Sequence, residues 1–380
     1  MKIVIAPDSY KESLSAMQVA NLIEQGFQSV FPEAEYVKVP VADGGEGTVD
    51  TMIEATDGKK ITCEVVGALG EQQSAFWGLS GDGKIAFIEI ASASGLEQVP
   101  SEKRNPLITT TYGVGQLILE ALDQGVRHFI IGLGGSATND GGAGMLQALG
   151  VSLTDKDGKE LAYGGAALAD LDKIDVSNLD DRLKECRFDV ACDVTNPLVG
   201  EKGASHVFGP QKGATPEMVE ELDAALNHYA DIIQRDLNVE VKELPGAGAA
   251  GGLGAAFAGV LKGSLQSGIG IITRLLDLEE KMRGASLVIT GEGRIDYQSI
   301  NGKVPVGVAQ LAKKQNIPVI VIAGSLGKDV EVVHDYGIDA VFSILNKCCT
   351  FPEAAADAPE NLVLSAHNIA TILKINLSDA

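Results

Sequence analysis

Basic residues are scarce in this sequence, and their scarcity excludes several classes of partner. The 380 residues include 30 Lys and Arg against 52 Asp and Glu, so the formal net charge is −22 at pH 7. Nucleic acids and anionic membrane surfaces attract proteins of the opposite charge. We therefore expect neither as a partner, and an anionic substrate would need a local pocket of cations, loop amides or a metal ion.

Cysteine and histidine are also scarce, with five residues of each. The odd, scattered set of thiols is typical of reduced cysteines in a cytoplasmic protein, and it does not suggest a disulfide framework. The adjacent pair Cys348 and Cys349 lacks the C-x-x-C spacing of a zinc site, and the histidines form no H-E-x-x-H motif. The sequence thus predicts a cytoplasmic location and contains no zinc motif.

Long apolar runs and several familiar motifs are missing as well. The sequence contains no run of about 18 apolar residues, the length needed to span a membrane. The apolar run at the N-terminus is too short for a signal peptide. There is no Walker A motif, no protein-kinase motif set and no G-x-S-x-G elbow. A nucleotide site in this chain must therefore be of another kind.

Glycine, in contrast, is abundant, and one glycine-rich stretch organises the chain. This stretch, Arg127–Gly144, reads RHFIIGLGGSATNDGGAG. A predicted strand (129–133) leads through the loop into a predicted helix (145–149). Glycines allow backbone N–H groups to approach an anion, and the helix N-terminus adds positive charge. The loop thus predicts a phosphate or carboxylate site, although similar turns in many α/β proteins bind nothing. Its candidate residues are Gly134, Gly135, Ser136, Asn139 and Asp140, of which Asp140 could instead face a metal or a hydroxyl.

Both ends of the chain alternate strand and helix patterns, with a polar loop after each predicted strand. The strand at 2–6 leads into a loop with Asp8 and Lys11, and the strand at 35–41 leads into a loop with Asp43. Ligands of open parallel sheets bind beyond the carboxyl ends of the strands, so these side chains are placed to meet there. For Asp8 alone, a capping or turn-forming role is the alternative. The β-α pattern returns after residue 285.

The middle of the chain, from residue 59, has a different pattern. Short β-rich runs at 61–66, 73–79 and 85–90 are typical of an antiparallel meander. We therefore predict an α/β fold of two domains. Residues 1–58 and 285–380 form a Rossmann-like or flavodoxin-like parallel-sheet domain, and residues 59–284 form an inserted mixed α/β domain.

Polar loops, most of them with glycine, follow six segments, around Lys11, Asp43, Asn139, Asp193, Lys212 and Arg294. Together they offer carboxylates for Mg²⁺ and a hydroxyl, cations for phosphate charge, and amide-rich turns for phosphoryl oxygens. This inventory fits phosphoryl transfer, in which catalysis is mostly positioning and charge neutralisation.

Through these loops the sequence resembles a known family, the bacterial type 1 glycerate kinases. The resemblance spans almost the whole chain and rests on seven ordered blocks: IAPDSYKESLSA, PVADGGEGT, GLGGSATNDGGAG, CDVTNPL, GPQKGA, GAGAAGGLG and TGEGRIDYQSINGKVP. It implies ATP-dependent, Mg²⁺-assisted phosphorylation of D-glycerate to phosphoglycerate and ADP, on a two-domain α/β fold. The usual product in this family is the 2-phospho ester.

Within such a reaction the residue types suggest roles. Arg294 is predicted to bind the glycerate carboxylate through its guanidinium fork, with a structural ion pair as the alternative. Lys11 would neutralise phosphoryl oxygens, unless it is a solvated loop lysine. Asp193 or Asp296 would accept the hydroxyl proton, and the other one, or Asp43, would hold Mg²⁺. Turn capping is the alternative for all three aspartates.

Several choices stay open at this point. The 134–142 loop, with Lys212, would bind either the ATP phosphates or the substrate carboxylate. The competing functions are a kinase for another small hydroxy acid and a non-catalytic two-domain protein that binds small anions. The partners expected are small molecules, glycerate and ATP. The sequence fixes neither the phosphorylated hydroxyl nor the oligomeric state, with a homo-oligomer as one option.

Overall fold

The fold was analysed in a computed structural model, which describes residues 1–375. The strands are β1 (Lys2–Ile5), β2 (Glu35–Lys38), β3 (Lys59–Val66), β4 (Gln72–Leu79), β5 (Ile85–Glu89), β6 (His128–Gly132), β7 (Ser152–Thr154), β8 (Lys173–Asp175), β9 (Arg187–Ala191), β10 (Ser264–Gln266), β11 (Leu287–Thr290), β12 (Arg294–Ile295), β13 (Val319–Ala323), β14 (Ser325–Leu326) and β15 (Ala340–Ser343). The helices are α1 (Ala16–Gln28), α2 (Thr48–Ala55), α3 (Ala91–Ser94), α4 (Tyr112–Asp123), α5 (Ala143–Ala148), α6 (Ala204–Phe208), α7 (Pro216–Leu237), α8 (Ala249–Ala255), α9 (Gly268–Leu275), α10 (Leu278–Lys281), α11 (Val304–Lys314) and α12 (Phe351–Lys374).

The first sheet is built from both ends of the chain. Its five strands are all parallel and follow the order β2–β1–β11–β13–β15. Renumbered within this sheet, that order is the 2-1-3-4-5 arrangement of flavodoxin-like folds. The predicted α/β class with a parallel sheet is therefore confirmed. Every residue of β11 and β13 is buried, as expected for parallel strands that are covered on both faces.

The helices on one face of this sheet share an apolar core with its strands. Alternate residues of β1, Ile3 and Ile5, share a core with residues of α1 and α12. Helix α1 begins at a capping box, in which the Ser15 side chain accepts a hydrogen bond from the backbone N–H of Gln18. A Cβ at Gly26 would lie 2.6 Å from the Cβ of Ala366, so glycine lets α1 approach α12 closely.

The second sheet has six strands in the order β10–β9–β6–β5–β4–β3. Strands β5, β6, β9 and β10 are parallel, whereas β3, β4 and β5 pair antiparallel, which confirms the predicted meander. Its core is rich in aromatic rings, and Phe129 stacks on Phe188 with ring centroids 4.8 Å apart. Two-stranded ladders join β12 with β14 and β7 with β8.

The chain divides into two compact units. Unit 1 comprises Met1–Asp43, Asp50–Ala55 and the chain from Ile269 onward, and unit 2 comprises Gly44–Val49 and Thr56–Gly268. The domains predicted from the sequence differ from these units in the placement of 44–49, 56–58 and 269–284. The last of these segments, which holds α10 and all of α9 except Gly268, belongs to unit 1, where Ile269 lies directly against Gly307 of α11. The two-domain organisation itself stays a prediction.

Across residues 1–375, no helix is both long enough and apolar enough to cross a membrane.

Candidate functional site

Unit 1 places a group of charged side chains beyond the carboxyl ends of β1 and β11. These neighbouring strands flank the point where the strand order reverses, which is the ligand-binding position in open parallel sheets. Asp8 follows β1, and Glu292 follows β11. The backbone N–H of Asp8 donates to the carbonyl of Gly291 at 2.8 Å, so the two loops are directly joined.

Asp8 has an unusual electrostatic environment. Burial, together with the carboxylates of Asp43 and Glu292, raises the pKa of Asp8 to about 7, although Ser9 and Lys11 act in the opposite direction. The backbone N–H of Ser9 donates to Asp8 Oδ1 at 2.7 Å. At neutral pH this carboxyl therefore exists in both protonation states, and a cation beside it would favour the charged one.

Glu292 is buried, and two neighbours hold its carboxylate in place. Ser299 Oγ donates to Glu292 Oε1 at 2.7 Å, and Lys303 Nζ lies 3.4 Å from Oε2. Burial raises the pKa of Glu292, while Lys303 and the Ser299 hydrogen bond oppose that rise. Glu292 thus places an acidic group in the loop after β11, near enough to Asp8 to raise the pKa of Asp8.

Arg294 and Asp296 form an ion pair in the same loop. Arg294 Nε lies 3.2 Å from Asp296 Oδ2, and the arginine side chain is 67 % exposed. Asp296 is buried and caps a short 3₁₀ turn, where its Oδ1 accepts from the backbone N–H of Gln298 at 2.9 Å. The structural ion pair considered for Arg294 is therefore present, and so is the capping role considered for Asp296.

Lys11 is exposed and lines a pocket of about 280 Å³ that lies within unit 1. Asp43 is half-buried and interacts electrostatically with Asp8. No group of three or more His, Cys, Asp or Glu side chains in the described chain is arranged to hold a metal ion alone. Magnesium commonly needs only one or two protein carboxylates when phosphates supply further ligands.

In unit 2, the glycine-rich loop after β6 is shaped mainly by buried contacts. Gly134 and Gly135 are exposed, whereas Ser136, Asn139 and Asp140 are buried. Both oxygens of the Asp140 carboxylate accept hydrogen bonds.

The four donors to Asp140 are Thr111 N and Thr111 Oγ1 (both 2.8 Å), Gly142 N (3.1 Å) and Gly144 N (3.3 Å). Asp140 therefore organises the loop and the start of α5 from within.

Lys212 stabilises the same loop from the protein interior. It is only 2 % exposed, and its Nζ donates to Ser136 Oγ at 2.8 Å and to the carbonyl of Thr138 at 2.6 Å. Burial lowers the pKa of Lys212 to about 7, and the nearby Asp140 carboxylate opposes that change. The sequence predicted direct ligand contact for Lys212, but the structure places its ammonium group inside the protein.

Asn139 Nδ2 donates to Ser205 Oγ at 2.9 Å. Within residues 1–375, the buried Asn139 Oδ1 and Thr138 Oγ1 have no hydrogen-bond partner. The segment GAGAAGGLG, residues 246–254, packs against this loop: a Cβ at Gly251 would overlap the Thr138 carbonyl, and Gly141 N donates to the Gly251 carbonyl at 3.0 Å. The glycines of this segment therefore allow close packing against the loop after β6.

Asp193 follows β9 and is exposed. Its Oδ1 accepts a hydrogen bond from the backbone N–H of Gly268, the first residue of α9, at 3.2 Å. A second pocket, of about 300 Å³, lies within unit 2 and is lined by Gly134 and Gly135 together with acidic side chains that include Glu46 and Glu89.

Sequence reasoning placed Asp8 at the ligand-binding edge of the sheet but gave it no role in the reaction, and it did not single out Glu292. Both follow strands whose adjacency appears only once the sheet order is known, since β1 and β11 lie far apart in the chain. A signal was available, because each acid lies two or three residues after a buried apolar run.

Comparisons with known proteins agree along the whole chain. A sequence model described as the glycerate kinase family matches residues 3–374. A glycerate 2-kinase of Escherichia coli K12 is 60 % identical over 380 residues, which cover 100 % of both chains. A glycerate kinase of Bacillus subtilis 168 is 54 % identical over 375 residues, covering 99 % of this chain and 98 % of that protein. The crystal structure of a proposed glycerate kinase 2 from Salmonella typhimurium LT2 matches with a TM-score of 0.92 and 59 % identity, covering 98 % of each chain.

Proposed function

The chain belongs to the glycerate kinase family, and on this basis we propose that it transfers the γ-phosphoryl group of ATP to a hydroxyl of D-glycerate. The observation that carries this proposal is the 60 % identity, over its full length, to a glycerate 2-kinase. The same relative supports 2-phosphoglycerate as the product. A glycerate hydroxyl oxygen forms the new bond to phosphorus, the bond to the β–γ bridging oxygen breaks, and ADP leaves.

The charged group of unit 1 is proposed to handle the nucleotide phosphates. Asp8 and Asp43 would hold Mg²⁺, which, when bound, neutralises charge on the phosphates. Their chemistry fits this ion because mutual repulsion and burial disfavour the ionised form of Asp8, and a divalent cation relieves both effects. Lys11, exposed in the neighbouring loop, is assigned to the phosphoryl oxygens.

Arg294 is proposed to bind the glycerate carboxylate, since a guanidinium group presents paired donors to a planar anion. Asp296 holds it by the ion pair at 3.2 Å. Of the two candidate bases, Asp193 is the better one, because its side chain is exposed, whereas Asp296 is buried and paired with Arg294. The backbone at Gly134 and Gly135 is assigned to phosphoryl oxygens, and Lys212 and Asp140 keep that backbone in shape.

A coupled assay of ADP release from ATP, Mg²⁺ and D-glycerate tests the proposal, and NMR of the product identifies the ester. We expect turnover and a 2-phosphoglycerate signal. A 3-phosphoglycerate signal would overturn the regiochemistry alone. Turnover with lactate or tartronate but not with glycerate would support a kinase for another hydroxy acid, and binding of glycerate without turnover would support a non-catalytic protein.

A further inference from the structure

We infer that the pocket of unit 1 beside Lys11 binds the adenine ring of the nucleotide, an inference that rests on the proposed kinase function. The pocket measures about 280 Å³ and lies where the loops after β1, β11, β13 and β15 meet the first turns of α12. This is the carboxyl edge of the parallel sheet, the edge at which such folds bind ligands.

The residues that line the pocket are mostly apolar, and two of them have large, exposed side chains. Leu345 is 44 % exposed and Phe351 is 60 % exposed, although both are large hydrophobic residues. Ala354, Ala355 and Ala358 line the pocket from α12. An apolar pocket bordered by an aromatic side chain fits a purine ring, whose faces stack on aromatic side chains.

Small residues form the remaining side of the pocket, where two loops touch. Gly293 and Gly324 both line it, and a Cβ at Gly324 would overlap the carbonyl of Gly293. Opposite them, Ser13 Oγ donates to the carbonyl of Ala355 at 3.2 Å and ties the start of α12 to the loop after β1. Direct contacts therefore join the loops and the helix that form the pocket.

Charge distinguishes this pocket from the one in unit 2. The lining residues of the unit 1 pocket include Lys11 and no carboxylate. The unit 2 pocket, of similar volume, is lined by Glu46, Glu89 and Glu97. A nucleotide carries several negative charges, so its base should enter the pocket whose border is positive.

The chain also continues from this pocket to the proposed phosphate-handling residues. Gly293 follows Glu292 directly, and a Cβ at Gly293 would lie 3.4 Å from the backbone nitrogen of Lys11. An adenine in the pocket thus leaves the ribose and phosphates beside Lys11, in the loops that carry Asp8 and Glu292.

The first test fills the pocket and measures substrate affinity. We expect Ala355→Phe to raise the KM for ATP about 10-fold or more, with the glycerate KM and the thermal midpoint unchanged. Ala356→Phe is the matched control, because Ala356 is exposed on the same helix and does not line the pocket. Equal ATP KM values for the two variants in an active, folded enzyme would overturn the adenine site.

The second test needs no substitution in the pocket. Cys349 lines it and is exposed, so Cys348→Ser leaves one exposed thiol as a probe. The remaining cysteines, Cys63, Cys186 and Cys192, are half-buried, and burial raises their pKa values, so they should alkylate slowly.

We expect ADP to slow alkylation of Cys349 by iodoacetamide about 5-fold or more, and pyrophosphate, which lacks the base, to protect much less. Enzyme that turns over ATP and glycerate but shows no protection by ADP would overturn the pocket and leave the kinase proposal standing. Protection by ADP without turnover would overturn the kinase proposal and support the nucleotide pocket. Absence of both protection and turnover would overturn both.

Discussion

Replacing Asp8 by Asn should make unit 1 more stable, and the gain should depend on pH. In the folded chain burial and two carboxylates raise the pKa of Asp8 from its ordinary value of 3.8 to about 7. Between these values the unfolded chain has lost the proton while the folded chain retains it. The folded state therefore binds more protons, and the wild-type protein loses stability as the pH rises through this range.

The size of this effect follows from the two pKa values. One pKa unit corresponds to about 1.36 kcal/mol, so the penalty is absent below about pH 4 and reaches at most ~4 kcal/mol above pH 7. Because Asp8 is partly exposed, solvent screening reduces this penalty. We therefore expect Asp8→Asn to raise the free energy of unfolding by at least about 1 kcal/mol above pH 7. Asn carries no charge at any of these pH values, and its side-chain oxygen can still accept from the backbone N–H of Ser9.

Amide hydrogen exchange in β1 and β11 at pH 5 and pH 8 would measure this gain within the relevant sheet. Exchange should slow more in Asp8→Asn, relative to wild type, at pH 8 than at pH 5. Asp335→Asn, at an exposed position between Val330 and Tyr336, is the control and should show no such difference. A variant no more protected at pH 8 than at pH 5 would refute the repulsion argument.

The same variant should lose activity while gaining stability. Since Asp8 is proposed to hold Mg²⁺, we expect Mg²⁺ to slow exchange in the wild-type protein at pH 8 and to have less effect in Asp8→Asn. Proteins often keep such destabilising groups where function requires them.

Three further predictions concern the remaining candidates. Asp193→Asn should lower kcat by roughly 10²-fold or more without changing the circular dichroism spectrum, and unchanged kcat would exclude Asp193 as the base. Arg294→Ala should mainly raise the glycerate KM, with little rescue by Arg294→Lys, because a lysine lacks the paired donors; an unchanged KM would end that assignment. At pH 10, where the penalty for the buried charge is small, Lys212→Met should destabilise unit 2 by about 1–3 kcal/mol, measured by chemical denaturation, because Ser136 Oγ and a buried carbonyl lose their donor. Because its pKa is lowered to about 7, Lys212 should make wild-type stability rise between pH 7 and pH 10, and the Met variant should lack that rise.

The parallel strands were predictable because each is a short, continuous apolar run. The sequence predicted strands at 2–6 and 129–133, and the structure has them at Lys2–Ile5 and His128–Gly132. Such runs are recognisable without neighbours because both faces of the strand are buried.

The last helix shows where local reading was incomplete. Helix α12 spans Phe351–Lys374, a longer helix than the local sequence pattern alone indicates. Pro359, which lacks a backbone N–H, lies inside the helix, although proline normally marks a helix start or break. The true start has its own signal, a capping box between Thr350 and Glu353.

For the candidate site, the sequence predicted which residue types are present but not the direction in which each side chain points. The residue types around Asp140 and Lys212 predicted an anion-binding loop, but which side chains point inward depends on distant partners such as Thr111 and Gly251. A glycine-rich turn leaves several backbone paths open, and only packing selects one. For the same reason Glu292 was identified as a neighbour of Asp8 only once β1 and β11 were known to pair.

The pairing of β1 with β11 also bears on how the protein is made. Ile3 lies opposite Leu287, so the second strand to join β1 is synthesised long after the first. At about 5–20 residues per second, the ribosome needs roughly tens of seconds to cover that interval. Throughout it, one side of an apolar strand has no partner, which makes nascent unit 1 vulnerable to aggregation. The long uninterrupted segment Thr56–Gly268 has no such wait, so slowing translation or removing chaperones should harm the strands at the two chain ends first.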